Sequence, residues 1–252
     1  MSINIDQLAK RQLNDFRLMD PGTCFEDPKF KLDEKSAYSL QDEVTRLRAE
    51  QGERVAGYKV GCTGPGTTKL FGMDGPIRGT LFKNEMKPNG AVLDYHLFYN
   101  LAVEAEMAIQ IGENNEIESV FPIIELHNFV FRAPQKSLAE LIANNGFNKG
   151  IVIPEKKWQK ALALYNGTSV LSLEINGSVI DFGDLWPMVG GPTTSLNWLE
   201  KHLADHSLKL SSGDIVLGGT ALGLYPVQVG DHIGVRLDGQ LTVHCKVQNS
   251  AG

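Results

Sequence analysis

Apolar positions at the start of the chain recur at helical spacing. Ile5, Leu8, Leu13 and Phe16, within residues 4–19, predict a first helix that stops before Pro21-Gly22. Residues 21–32 carry proline and glycine and read as a loop. A second helix is predicted from Asp33, whose side chain can cap it, through Tyr38, Leu40, Val44 and Leu47. Beyond about residue 55 the pattern changes to short apolar and alternating runs. Val55–Val60, Ala102–Ile111 and Val120–Leu126 read as strands. Ser169–Ile175 and Val179–Phe182 flank Asn176-Gly177, a hairpin signal, and Asp238-Gly239 joins His232–Leu237 to Leu241–Val247 in the same way. Ile215–Leu217 is a further short strand. Helices are predicted at Ser137–Asn144, opened by the capping pair Ser137 and Glu140, at Glu155–Tyr165 after Pro154, and at Thr194–His206. Strands and helices do not alternate, so the class is α+β: a small helical region over residues 1–54, then a mixed, mostly β body over residues 55–252.

Composition narrows the function classes. With 252 residues, 42% of them hydrophobic and 21% charged, the chain can bury a sizeable core, which excludes a disordered reading. A net charge of −6 argues against a nucleic-acid partner, which usually calls for a basic surplus. No apolar run approaches the roughly 20 residues of a membrane span. Residues 1–16 contain no apolar segment of the secretory type, so a cytoplasmic chain is expected. Cys24, Cys62 and Cys245 are scattered without a C-x-x-C spacing, which points away from a disulfide framework or a structural zinc site. Cys62, in a glycine-rich stretch, is expected to be an inert small residue rather than a nucleophile. Asn166-Gly167-Thr168 and Asn176-Gly177-Ser178 match glycosylation sequons and read as turns.

The richest chemistry lies in the run Ala102–Ile111. On a strand, Val103, Ala105, Met107, Ile109 and Ile111 share one apolar face, and Glu104 and Glu106 share the other. The two acids are then about 6.5–7 Å apart along the backbone, close enough for both carboxylates to converge on one point. Glu125 ends the apolar run Val120–Ile124, where a carboxylate must be paired or bind an ion. Glu104, Glu106 and Glu125 make an all-oxygen set suited to Mg²⁺ or Mn²⁺. The alternative is a metal-free ion pair between Glu125 and Lys59. Lys59 stands between Gly57 and Gly61, where its ammonium can reach into a cleft toward an anionic ligand. Gly61–Gly66 has phosphate-loop spacing, but Thr67-Thr68 follow where Lys-Ser/Thr is required, and no G-x-S-x-G elbow occurs. His202 and His206 read as a solvated helix face, and His127 as a candidate to stand behind Glu125.

Gly57-Tyr58-Lys59-Val60-Gly61-Cys62-Thr63, the Glu104/Glu106 strand, Pro122-Ile123-Ile124-Glu125 and Gly213–Thr220 occur in one order along the chain. Tyr38-Ser39-Leu40-Gln41 and Gly191-Pro192 ahead of Trp198-Leu199 belong to the same series. Together they resemble the 2-keto-4-pentenoate hydratase and 4-oxalocrotonate decarboxylase group of the fumarylacetoacetate hydrolase superfamily. The resemblance implies a mixed β-roll core, a Mg²⁺ or Mn²⁺ site on Glu104, Glu106 and Glu125, a catalytic Lys59, substrate-binding Thr63 and Thr220, and a homo-oligomer. It implies a lyase on unsaturated 2-oxo acids of aromatic catabolism, with hydratase ahead of decarboxylase. An acylpyruvate-type C–C hydrolase and a non-catalytic binding member follow, the hydrolase disfavoured because no histidine precedes His96. One departure stands out: hydratases of the group carry Pro-Asp-Phe-Gly where this chain has Pro76-Ile77-Arg78-Gly79, a change toward the decarboxylase branch. Arg78 is expected either to face the cleft and clamp a second substrate carboxylate or to lie solvated on the surface.

Overall fold

The computed structural model describes residues 4–71, 76–164 and 168–249. The two opening helices form where the apolar spacing places them. Helix α1 (Ile5–Arg17) is capped by Asn4, which accepts from Gln7 N, and α2 (Glu34–Glu50) by Asp33, which accepts from Ser36 N at 2.7 Å. There follow β1 (Val55–Gly61), α3 (Pro65–Phe71), β2 (Ile77–Phe82), β3 (Met86–Pro88), β4 (Ala91–Asp94), β5 (Leu101–Ile111) and β6 (Ile117–Asn128). Helix α4 (Leu138–Ala143), β7 (Asn148–Ile153), β8 (Val170–Ile175), β9 (Ser178–Asp184), α5 (Pro192–Asp205), β10 (Ile215–Leu217), β11 (Tyr225–Pro226), β12 (His232–Leu237) and β13 (Gln240–Gln248) complete the order. The α+β reading holds, and both predicted hairpins form.

The larger sheet runs β2-β1-β10-β5-β6-β7-β3, with β11 on β5, and the smaller runs β4-β13-β12-β8-β9. Strand alternation decides what lies between them. Val103, Ala105, Met107 and Ile109 of β5, with Ile124 and Leu126 of β6, pack against Leu173, Val235 and Val243 of the smaller sheet. Each of these fully buried side chains larger than alanine contributes about 1.5–3 kcal/mol. The opposite face of the larger sheet therefore carries Lys59, Glu104, Glu106, Glu125 and His127. Beside them lies an apolar plug of Leu81, Ala108, Phe121, Ile123, Ile151 and Leu217. Helices α1 and α2 share a second core with α4, in which Leu40, Phe25 and Ala9 meet Ile77, Ile142 and Phe147.

Four expectations are corrected. Residues 155–164 form short 3₁₀ turns rather than a helix, because Lys160 pairs through both its backbone N–H and C=O with Val120. Tyr165, the predicted end of that helix, and the Asn166-Gly167 turn lie outside the described residues. Helix α3 and strands β2, β3, β4, β7 and β11 were not marked by periodicity. His202 and His206 do not form a solvated face: both rings pack on Tyr38 of α2, His202 also stacks on Trp198, and burial pushes the His202 pKa down to about 4.

Arg78 is neither a cleft clamp nor a surface residue. It pairs in register with Val60, so it faces the side of Tyr58 and Val60, away from Lys59. It is fully buried; its guanidinium meets Asp42 of α2 at 2.5 Å and lies near the rings of Tyr38 and Tyr58. His206 Nδ1 approaches the other Asp42 oxygen at 3.2 Å. The pair ties β2 to α2 and α5. Removing one partner of a buried pair strands the other, and the two partners are unequal here, since the Asp42 side chain keeps 31% exposure. Asp42→Asn should therefore cost about 3 kcal/mol in urea unfolding, by leaving a buried guanidinium uncompensated. Arg78→Leu should cost less, and equal losses in the two variants would contradict this account.

Candidate active site

A cavity of about 480 Å³ opens on the polar face of the larger sheet. Its floor is Lys59 from β1, Glu104 and Glu106 from β5, and Glu125 and His127 from β6. Ile77, Leu141 and four phenylalanines, Phe71, Phe129, Phe131 and Phe147, wall it, and the exposed Lys136 lies over the Phe129 and Phe131 rings. Thr63, after β1, and Gly219-Thr220, after β10, line the remaining side.

The antiparallel register sets Glu104 directly opposite Glu125, and Ala102 opposite His127. Two carboxylates facing each other repel, and Glu125 is wholly buried, so their neighbours must compensate. Lys59 Nζ donates to Glu125 Oε1 at 2.6 Å and to Gly146 O at 3.4 Å, and Asn148 Nδ2 donates to the same Glu125 oxygen at 2.7 Å. Glycine makes room for that lysine: a Cβ at Gly79, its register partner, would fall 2.7 Å from Lys59 Cγ. His127 Nε2 lies 3.2 Å from Glu104 Oε2 and 3.3 Å from Glu125 Oε2. Glu106 accepts a hydrogen bond from Gly219 N.

Charge states follow from this packing. Burial opposes the Lys59 charge, yet Glu125, Glu104 and Glu106 outweigh it and hold the pKa above the ordinary lysine value. Burial likewise works against ionised Glu125, but the His127 and Lys59 charges keep its carboxyl far below the usual range. His127 is raised because Glu125 overcomes its burial. Glu106 is pushed well above the carboxylate range by burial and then by Glu125. Burial raises the Cys62 thiol to about 11 against the pull of Lys59, so it stays protonated at neutral pH and is no thiolate nucleophile.

Two buried atoms of the cluster, Glu125 Oε2 and His127 Nε2, have no aligned hydrogen-bond partner. Buried polar atoms are almost always satisfied. One donor atom from each of Glu104, Glu125 and His127 lies within 4.8 Å of the others, which is the spacing of a cation site; Glu106, the remaining predicted ligand, is not in that group. The residues present therefore fit a divalent ion.

Of the residues picked out from sequence, Lys59, Glu104, Glu106, Glu125, Thr63 and Thr220 all line this cavity, and Arg78 does not. Thr220 Oγ1 donates to Ala105 O and accepts from Leu222 N. The aromatic wall was overlooked, although the period-two series Glu125, His127, Phe129, Phe131 carries its signal. Asn148 carries no local signal; the β6–β7 register brings it opposite His127.

The curled sheet with a buried carboxylate cluster defines a fumarylacetoacetate hydrolase-type fold. No protein-family model matches the chain. It is 25% identical over 222 residues to a 4-oxalocrotonate decarboxylase of Pseudomonas sp. strain CF600, covering 83% of this chain and 84% of that one. It is 23% identical over 219 residues to 2-keto-4-pentenoate hydratase 1 of Dechloromonas aromatica strain RCB, covering 82% and 83%. Among solved structures it superposes on 4-oxalocrotonate decarboxylase from Pseudomonas putida G7, complexed with magnesium and adipate. That match has a TM-score of 0.87 at 22% identity, over 98% of this chain and 99% of that one. The resemblance read from the motifs is supported: the chain is similar along most of its length to members of the hydratase and decarboxylase group of the fumarylacetoacetate hydrolase superfamily. Among the described residues no helix is long and apolar enough to cross a membrane.

The Gly219 turn is a sharp test of the site's construction. Gly219 has φ +89°, and a Cβ there would fall 2.4 Å from Thr63 Oγ1. Gly219→Ala should displace Thr63 and the Glu106 contact together, lowering activity by more than about tenfold, on the scale expected when a site is misplaced by about 1 Å. Its melting temperature should fall by only a few degrees, because a strained φ costs about 1–3 kcal/mol. Unchanged activity would show that the Gly219 turn does not shape the cavity.

Proposed function

We propose that the chain is a divalent-metal-dependent lyase acting on an unsaturated 2-oxo acid, with Glu104, Glu106 and Glu125 holding Mg²⁺ or Mn²⁺. The observation that carries this reading is the buried, incompletely satisfied carboxylate cluster at the base of a cavity of about 480 Å³. When bound, the cation supplies Lewis-acid stabilisation of negative charge on the substrate's 2-oxo oxygen. Lys59 is the group that moves a proton or steadies charge beside it. Two of its three N–H donors go to Glu125 and Gly146, and the third is free to point at substrate. Thr63 and Thr220 flank the position of the substrate carboxylate. Phe129, Phe131 and Phe147 exclude water from the distal end.

Hydration of a 2-hydroxydienoate is the reading that the resemblance ranks first. Decarboxylation of a 4-oxalocrotonate-type dicarboxylate is favoured by one observation. Ile77, at the position where hydratases of the group carry an acid, lines the cavity and is buried. Hydration requires a positioned acid or base for the added water. Loss of CO₂ instead profits from apolar surroundings that disfavour the departing carboxylate. The exposed Lys136 is the cation placed to draw that second carboxylate inward.

Purified protein should turn over 2-hydroxypenta-2,4-dienoate or 4-oxalocrotonate with Mg²⁺ or Mn²⁺ and lose activity in chelator. Inactivity on both substrates would overturn the lyase reading. Glu104→Gln keeps shape and removes charge, so it should weaken Mn²⁺ binding in titration calorimetry and abolish turnover while the fold persists. Glu125→Gln should do the same and also lower stability, because Lys59 loses its counter-charge. If decarboxylation is the reaction, Lys136→Gln should raise KM for the dicarboxylate about threefold to fivefold with little change in kcat, as expected for an exposed charge.

A further inference from the structure

The reading above takes its metal ligands from carboxylates alone, yet His127 stands at ligand spacing with two of them. Its ring is buried, with 4% of its surface exposed, and it lines the cavity floor from the same face of β6 as Glu125. Nε2 points between Glu104 Oε2 and Glu125 Oε2, at 3.2 and 3.3 Å, yet neither approach is aligned as a hydrogen bond. Around an octahedral ion with bonds of about 2.1 Å, adjacent ligand atoms sit about 3 Å apart. The two separations from Nε2 are those of neighbours on such a coordination sphere.

We infer that His127 Nε2 is itself a ligand of the cation, converting an all-oxygen site into a mixed nitrogen and oxygen site. The inference rests on the metal-site reading above and adds what selects the ion. Imidazole is a poor ligand for Mg²⁺ and a good one for first-row transition ions, whereas carboxylates serve both. The site is thereby tuned toward later first-row ions such as Fe²⁺ or Co²⁺ and away from Mg²⁺. Glu125 Oε2 and, once its proton is released to make way for the ion, His127 Nε2 are then two lone-pair donors 3.3 Å apart.

The test is electron spin-echo spectroscopy of the full chain loaded with Mn²⁺, which needs neither substrate nor a variant. Modulation from a directly bound ¹⁴N is expected, changing to the ¹⁵N pattern when the protein is grown with [¹⁵N]histidine. Calorimetric titration of His127→Leu should show Co²⁺ affinity falling by at least about tenfold, with Mg²⁺ affinity changed by less than about threefold. His127→Gln, which keeps a polar group of similar reach, should lose the nitrogen signal and bind Mn²⁺ through oxygen alone. Mn²⁺ binding that depends on Glu104 but shows no nitrogen modulation would overturn this inference and leave the metal-site reading intact. It would mean that the imidazole only neutralises the two carboxylates. No Mn²⁺ binding in the unmodified protein would overturn the metal-site reading, and this inference with it.

Discussion

The structure depends on holding Glu104 and Glu125 opposite each other inside the protein. Adjacent antiparallel strands place them across the ladder, on the face opposite the apolar core. Like charges so placed destabilise a sheet, and a buried carboxylate costs several kcal/mol more. The fold answers with Lys59, His127 and the Asn148 amide, each from a different strand or a different turn of the same one. Much of the surrounding sequence is explained by that answer. Gly79 is glycine because Lys59 needs the space beside it, and the strand order β1-β10-β5-β6 is what brings an ammonium to a carboxylate 66 residues distant in the chain.

What was legible in the sequence is what strand and helix periodicity can encode. Period two put Glu104 and Glu106 on one face, and the apolar run before Glu125 marked a carboxylate that must have a partner. The capped helices were legible because Asn4, Asp33 and Ser137 mark their starts. Register between strands distant in sequence has no local signature, so neither the Glu104–Glu125 opposition nor Asn148 could be read. Arg78 fails for a related reason. Its neighbour Ile77 faces the cavity and Arg78 the opposite side, a choice set by β2 pairing with β1 and not by the residues near it. Residues 155–164 read as helix by spacing, but two backbone hydrogen bonds between Lys160 and Val120 recruit that segment to β6.

The helical region at the start of the chain places no residue in the cavity floor, yet it sets the walls. Gln41 of α2 donates to both Arg78 O of β2 and Ile142 O of α4, at 3.0 and 2.7 Å. Asp42, the next residue, holds the Arg78 guanidinium. Ile77 and Leu141, the cavity residues adjacent to those two anchor points, therefore keep their separation through one turn of a distant helix. A rigid wall matters here because a site of three carboxylates gains little from a substrate that can shift by an ångström.

The same charge cluster links stability to occupancy. Lys59 and His127 are both held toward their charged forms by the facing carboxylates, and Glu106 retains its proton more readily than an ordinary carboxyl. A divalent ion that bound only the folded state would supply positive charge there and add stability by mass action, about 2.7 kcal/mol at one hundred times its dissociation constant. For a chain whose total stability is of order 5–15 kcal/mol, that is a substantial fraction. The residues of this cluster are thus the ones whose burial costs the fold most when they are left uncompensated. Of the compensating groups, Asn148 lies outside the cavity lining, whereas Lys59, His127, Gly146 and Gly219 line the cavity itself. The side facing the cavity is left under-satisfied, and that is the side from which an ion and an anionic substrate can approach.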